Sequence, residues 1–341
     1  MDLQVWLTTS CNLRCKYCYE KKNLYRSNFL KIETARSIIK FVQESNKPLE
    51  IINFHGGEPL LNYEMLIFLS EELIKIHPDV HISFTTNGTI MNDDIMKFLI
   101  SNQENFFSGI TISIDGDKKT NDYNRIDSNR NGTYRKIMET YNKLKSFKLR
   151  ARMTITPDQT TKIYKNVVHL HEIGFSMITH AFDYFNTEWN DSDINIIQEQ
   201  YEKVLQYWYK YPELNISFAD GLLFRKRKLM KCNLCYNIYY DGCIYPCTYV
   251  TGDEGYLIGD INNGIDTQKA EYLKNKVLAE DNLFCTNCSI KDYCINNRCK
   301  FMNKKITNDY YKPAPIACAI ENIEDDLLRR HGRRLSDYVD D

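Results

Sequence analysis

No stretch of about eighteen apolar residues occurs anywhere in the 341-residue chain, so no segment reads as a membrane-spanning helix. The N-terminus has no basic segment followed by a long apolar one. It goes straight into a strand-like run, Leu3 to Thr9, so no secretory signal is expected and a cytoplasmic location is. Neither sign of charge is in excess. The 44 Lys and Arg face 45 Asp and Glu, and a formal net charge of −1 gives no field to draw nucleic acid or anionic lipid. Local basic runs, Arg225-Lys226-Arg227-Lys228 and Arg329-Arg330-His331-Gly332-Arg333-Arg334, read as solvated helix faces. With 8 Pro and 14 Gly there is no Pro- or Gly-rich linker, and no internal repeat of roughly 20–50 residues is visible. Cysteine is missing between residues 18 and 232, yet the chain has 12: three before that gap and nine after it. A reducing compartment excludes a disulfide framework, and clustered intracellular Cys default to metal ligation.

The first half alternates two periodicities. Strand-like runs at Leu3–Thr8, Glu50–Phe54, His81–Thr85, Gly109–Ser113, Ala151–Thr156 and Met177–Phe182 are separated by amphipathic stretches. These lie at Ile32–Val42, Tyr63–Ile76, Asp94–Ile100, Tyr134–Phe147 and Lys162–Ile173. Repeated β/α units imply an α/β fold with a parallel sheet, and six strands suit an open, partial (β/α)6 barrel. Chemistry in such folds collects at the carboxyl ends of the strands. Here those ends run into Cys11-Asn-Leu-Arg-Cys15-Lys-Tyr-Cys18, His55-Gly56-Gly57-Glu58-Pro59, Thr85-Thr86-Asn87-Gly88 and Ser113-Ile114-Asp115-Gly116. Any one of these is ordinary turn chemistry; four on one rim imply one site. A helix over Ile194–Tyr211 leads away from the pattern, and Cys-rich loops follow beyond residue 230.

Cys11, Cys15 and Cys18 are spaced to hold three corners of a cubane cluster, and no fourth Cys lies nearby to fill the last one. An open coordination position marks a catalytic centre more than a structural one. A zinc knuckle completed by a distant His or Cys is the competing reading. Cys11-x3-Cys15-x2-Cys18 resembles the signature of radical S-adenosylmethionine (SAM) enzymes, and the likeness covers at least residues 3–184. The resemblance implies a [4Fe–4S] cluster whose open iron chelates SAM. It further implies that Gly56, Gly57 and Glu58 meet the methionine amino group, and that Ser113 and Arg125 meet the carboxylate and ribose. Tyr17 and Tyr184 would lie by adenine, with Asn87 among the cofactor contacts. An Arg suits a carboxylate because its planar fork holds both oxygens, and glycine lets a backbone approach closely. In this family one electron releases a 5′-deoxyadenosyl radical, which takes a hydrogen atom from the substrate.

The nine later Cys run Cys232, Cys235, Cys243 and Cys247, then Cys285-x2-Cys288-x5-Cys294-x4-Cys299, then Cys318. This resembles the SPASM extension of peptide- and protein-modifying members, which carries two auxiliary [4Fe–4S] clusters. The resemblance assigns Cys285, Cys288, Cys294 and Cys318 to one cluster, and Cys232, Cys247 and Cys299 to the other. The central run is one residue longer than usual in its last gap, and a one-residue bulge is expected there. The fourth ligand of the second set is Cys235, Cys243 or absent. A hairpin closed by a two-residue Asp241-Gly242 turn is expected, with Tyr236 opposite Cys247. Cys243 would lie about 13 Å along the strand from Cys247 at ~3.3 Å per residue, so Cys235 is preferred. Two Cys-x2-Cys zinc knuckles are the alternative and leave five Cys without a role.

The expected organisation is a radical SAM core over 1–190, a helical bridge over 191–230, and a SPASM domain with a C-terminal helix over 231–341. Two activities compete: a maturase installing a thioether or side-chain crosslink in a ribosomally made peptide, and an anaerobic sulfatase-maturing enzyme forming formylglycine. In the sulfatase-maturing pattern an Asp general base follows Tyr-Pro-Cys; here Tyr245-Pro246-Cys247 is followed by Thr248, which cannot take a proton at neutral pH. That favours the peptide maturase. A flavodoxin or ferredoxin donor is implied, and the peptide is expected to be recognised either through a separate leader-binding protein or at the barrel mouth. A non-enzymatic iron–sulfur or zinc scaffold would explain the later Cys but not the rim.

Overall fold

The computed structural model describes residues 1–21, 27–45, 47–107, 109–224, 234–335 and 338; Cys232 and the 225–228 basic run lie outside them. In chain order the first elements are β1 (Asp2–Thr8), α1 (Ile32–Gln43), β2 (Ile51–Gly56), α2 (Tyr63–Ile76), β3 (His81–Thr86), α3 (Asp93–Ser101) and β4 (Ile110–Ser113). Next come α4 (Lys118–Asn124), α5 (Tyr134–Leu144), β5 (Arg150–Ile155), α6 (Ile163–Glu172), β6 (Met177–Phe182), α7 (Asp191–Trp208), β7 (Asn215–Ile216) and α8 (Ser217–Phe224). The remainder holds β8 (Tyr236–Ile238), β9 (Cys243–Tyr245), β10 (Gly259–Asp260), β11 (Gly264–Ile265), α9 (Thr267–Tyr272), α10 (Ile295–Arg298), α11 (Lys300–Thr307) and α12 (Pro315–Leu335). None of the helices is long and apolar enough to cross a membrane among the described residues.

Two units pack separately. The first comprises residues 1–114, 121–150 and 234–271; the second comprises 115–120, 151–233 and 272–341. In the first unit the sheet runs β11-β10-β9-β8-β1-β2-β3-β4. β8, β1, β2, β3 and β4 are mutually parallel, whereas β8 to β11 form an antiparallel meander. β1 explains the parallel core: Leu3, Val5, Trp6 and Leu7 are all buried, the near-continuous apolar run of a strand covered on both faces. α1 covers it with the stripe Ala35, Ile38, Ile39 and Val42. A fully buried Ile or Val side chain contributes about 1.5–3 kcal/mol. The register Trp6↔His55, Thr8↔Gly56 and Thr86↔Ile112 brings the carboxyl ends of β1 to β4 to one edge, with Ser113 next in line beside Asn87.

The β8–β9 hairpin differs from expectation in two ways. Asn237 pairs with Tyr245 and Ile238 with Ile244, so the register continues to Cys235 opposite Cys247, and Cys235 N–H donates to Pro246 O at 3.0 Å. It is therefore Cys235, not Tyr236, that faces Cys247. The loop is one residue longer than a two-residue Asp-Gly turn. Gly242 N–H closes a turn on Tyr239 O at 3.0 Å, with Gly242 at φ +91°. A type I turn followed by a left-handed glycine keeps the strands' right-handed twist, which a plain type I turn would splay.

The second unit orders its strands β5-β6-β7, with β6 and β7 parallel. α7 starts three residues before the expected Ile194, because Asn190 and Asp193 form a reciprocal capping box ahead of it. α12 is tied to α7 by Arg330–Glu202 at 2.9 Å and by Gln198 donating to Asp326 at 3.0 Å. The gap between Cys294 and Cys299 holds no bulge. The extra residue is absorbed by the single turn of α10, closed by Cys299 N–H on Ile295 O at 2.9 Å. The α/β class with a parallel sheet and a Cys-rich later region is as the sequence implied.

Candidate metal centre and cofactor site

The loop after β1 is fixed before any side chain is considered. Arg14 N–H donates to Ile126 O at 2.7 Å and Lys16 N–H to Asn124 O at 3.0 Å, so the cysteine loop is zipped to the segment following α4. Arg14 Nη1 braces it from within, donating to Cys11 O at 2.7 Å and Leu13 O at 2.8 Å. The zipper puts Arg125 beside the loop, with its guanidinium carbon 5.3 Å from the centre of the Tyr17 ring. Arg125 is buried, which places its charge in a site partly shielded from water.

The loop after β2 presses on the same strand end. Gly57 N–H donates to Thr8 O at 3.1 Å and Glu58 N–H to Ser10 O at 2.9 Å. A Cβ on Gly56 would lie 2.4 Å from Thr8 O, and one on Gly57 would lie 2.3 Å from Ser10 O. The chain's own approach therefore already requires both glycines. Glu58 is buried, its carboxylate accepting from Leu60 N–H (3.1 Å), Thr86 Oγ1 (2.8 Å) and Asn87 N–H (2.6 Å). Burial pushes its pKa up to about 7, against the lowering effect of those three donors. It ties the β2 loop to the end of β3.

Burial raises the Cys11 thiol to about 11, with the negative charge of Glu58 and Cys15 adding to it; Leu13 N–H and Asn87 oppose the shift. Burial likewise carries Cys18 up to about 11, with Cys11 as a further cause. The sulfurs are thus within electrostatic range of one another, yet stay protonated at neutral pH unless a cation takes the proton's place. A metal does so outright. Among the described residues no three His, Cys, Asp or Glu side chains gather in a set suited to a single ion. A cubane spreads its thiolates over separate irons, and three half-buried cysteines on one loop are the donor set it takes.

The first unit thus gathers Cys11, Cys15, Cys18, Tyr17, Gly56, Gly57, Glu58, Asn87, Ser113 and Arg125 on one strand-end rim. Tyr184 belongs to the second unit, its ring 6.1 Å from that of Phe182. Among the later cysteines, Cys285, Cys288 and Cys318 lie close in the second unit. Burial lifts Cys318 to about 11, and the charges of Cys285 and Cys288 add to the shift. Cys288 N–H closes a turn on Cys285 O at 3.0 Å, and Cys294 is buried at the start of α10. Lys300 is buried too and donates to Asn282 Oδ1, which bears on the Cys285 thiol. Cys243 packs against the cluster of Trp6, Tyr239 and Tyr245. Burial, then the carboxylates of Asp241, Asp260 and Glu254, hold its thiol up at about 11. Sequence reasoning missed Asn12 and Thr89. Asn12 Nδ2 donates to Thr89 Oγ1 at 2.8 Å and its Oδ1 accepts from Asn87 Nδ2 at 2.8 Å, a contact across 77 residues that no spacing announces.

The family description that matches residues 6–171 is the Radical SAM superfamily. The chain carries a radical SAM domain. The radical SAM domain implies a [4Fe–4S] cluster and S-adenosylmethionine, and the protein is an enzyme, as its relatives are. It is 27% identical over 321 residues to the cysteine-type anaerobic sulfatase-maturating enzyme of Clostridium novyi, covering 84% of each chain. The enzyme of the same name from Clostridium perfringens (strain ATCC 13124) is 24% identical over 298 residues, 79% of each chain. In fold it matches native anSMEcpe with bound AdoMet and Cp18Cys peptide, at a TM-score of 0.79 and 20% identity over 99% of this chain and 98% of that one. Streptococcus suis SuiB bound to S-adenosylmethionine matches at 0.65 and 16% identity, over 93% and 76%. The radical SAM domain thus lies within a chain related to sulfatase maturases and similar in fold to anSMEcpe and SuiB.

Proposed function

We propose that this radical SAM enzyme modifies a peptide, joining side chains by a thioether or another crosslink. The observation that carries the reading is Thr248. It follows Tyr245-Pro246-Cys247 where the sulfatase-maturing pattern has an Asp, and its hydroxyl donates to Asn237 Oδ1 at 3.0 Å. A threonine engaged in this way supplies no base at neutral pH. Peptide complexes of two proteins of this fold, anSMEcpe with Cp18Cys and SuiB with SuiA, support a peptide as substrate.

In this reading residues 1–190 are the radical core, 191–230 the bridge and 231–341 the SPASM domain. Cys11, Cys15 and Cys18 hold the first cluster, and SAM lies against Tyr17, Gly56, Gly57, Glu58, Asn87, Ser113 and Arg125. Cys285, Cys288, Cys294 and Cys318 hold one auxiliary cluster; Cys235 and Cys247, opposite each other on the β8–β9 hairpin, are ligands of the other. When bound, cluster and SAM together supply a carbon radical that takes a hydrogen atom from the substrate. The chain's residues bind and orient: Arg125 pairs with the carboxylate, and Glu58 and the two glycines fix the β2 loop against the Cys11 loop. Electrons come from a flavodoxin or ferredoxin, and a separate leader-binding protein presents the peptide.

The relationship to cysteine-type sulfatase maturases over 84% of both chains favours a second reading, formylglycine formation. Anaerobic enzyme given SAM, dithionite and a Cys-type sulfatase-motif peptide separates the two. The expected outcome is 5′-deoxyadenosine without the aldehyde mass. Formylglycine in that peptide would establish the second reading instead.

A further inference from the structure

Asn87 sits on the cofactor rim, yet its carboxamide is committed in a direction its neighbours dictate. The backbone N–H of Thr89 donates to Asn87 Oδ1 at 3.0 Å, and Thr89 Oγ1 donates to the same oxygen at 2.6 Å. A backbone N–H can only donate, so the oxygen of the amide must face Thr89 and the Nδ2 must face the other way. There it meets Asn12 Oδ1 at 2.8 Å and Cys11 Sγ at 3.7 Å, within reach for a sulfur acceptor. Asn12 closes the ring by donating to Thr89 Oγ1 at 2.8 Å. The backbone N–H of Asn87 is meanwhile held by Glu58 Oε2 at 2.6 Å. Asn87 is 7% exposed, so the group is fixed at both ends and largely out of water.

We propose that the Asn87 carboxamide, oriented by Thr89 and Asn12, is a hydrogen-bond donor to the Cys11 sulfur and raises the reduction potential of the cluster held there. The proposal rests on Cys11, Cys15 and Cys18 holding that cluster. Hydrogen bonds to cluster sulfurs stabilise the reduced state, which carries one more negative charge, and outer partners of ligands tune a metal in this way. Leu13 N–H, 3.4 Å from the same sulfur, is the second donor. Asn87 is a positioning residue in this role: it acts on the ligand, not on the substrate.

The test is an EPR-monitored potentiometric titration of the SAM-responsive cluster signal in the anaerobically reconstituted full chain. Asn87→Ala and Thr89→Val are expected to lower its midpoint. The expected loss is about tenfold in the reduction equilibrium, about 59 mV for one electron. Asn87→Asp lowers it further, because a carboxylate then faces the sulfur. Thr89→Ser keeps the hydroxyl and leaves the midpoint at the wild-type value. Thr89→Val retains Asn87 itself and so still decides the matter if the Asn87 variants do not fold. Loaded Thr89→Val and Asn87 variants with wild-type midpoints would overturn the proposal. A wild-type chain that forms no SAM-responsive cluster would instead overturn the reading of the three cysteines, and the proposal with it.

Discussion

Glu58 carries the most testable chemistry of any single residue in the first unit. Its pKa, raised by burial to about 7 from an ordinary 4.5, means the folded chain binds a proton that the unfolded chain has already released between those values. Stability contributed by this group is therefore present in full below pH 4.5 and is lost as pH rises toward 7. In iron-free protein, Glu58→Gln is expected to flatten the fall in unfolding free energy over that window by roughly 3 kcal/mol, at ~1.4 kcal/mol per pKa unit. Denaturation at a series of pH values checks it, and parallel curves for the two proteins would contradict it. Gly57 makes a second demand at this scale. Gly57→Ala drives a methyl to 2.3 Å from the Ser10 carbonyl oxygen and is expected to cost about 1–3 kcal/mol, read from the denaturant midpoint. The cysteine triad and the Gly56-Gly57-Glu58 turn were legible because their spacing is local. Asn12 and Thr89 were not, since their meaning comes from strand ends that only the folded sheet brings together.

Among elements, the strands and helices of the β/α half were readable because burial on both faces gives β1 an unbroken apolar run, and α1 its stripe. Ends were less readable. The start of α7 depends on the Asn190–Asp193 capping box, a polar pair outside the apolar period. Asn190→Ala is expected to destabilise the second unit by about 1 kcal/mol, seen as a lower thermal midpoint. The hairpin loop was misjudged by one residue because Asp241-Gly242 satisfies two turn types, and only the +91° φ of Gly242 separates them. Gly242→Ala brings a methyl 2.9 Å from Ile261 Cδ1 in a left-handed conformation. The left-handed backbone alone is expected to cost about 1–2 kcal/mol, with the loss read as a reduced denaturant midpoint. The same one-residue difference decides which side chain faces Cys247.

For the whole molecule, the three clusters proposed above amount to about twelve irons per chain, three cubanes of four. Replacing Cys285 and Cys288 with Ala is expected to remove about four of them and leave the SAM-dependent signal in place. The α/β class was written in the β/α alternation; the packing of the chain into two interleaved units was not, because residues 121–150 and 234–271 join the first unit by contacts distant in sequence. The most direct measurement is 5′-deoxyadenosine produced by anaerobically reconstituted enzyme from SAM and dithionite, compared with Cys11→Ala, Cys15→Ala and Cys18→Ala. Production by the wild type and none by the three variants is the expected result. Protein that carries zinc and yields no 5′-deoxyadenosine would contradict it.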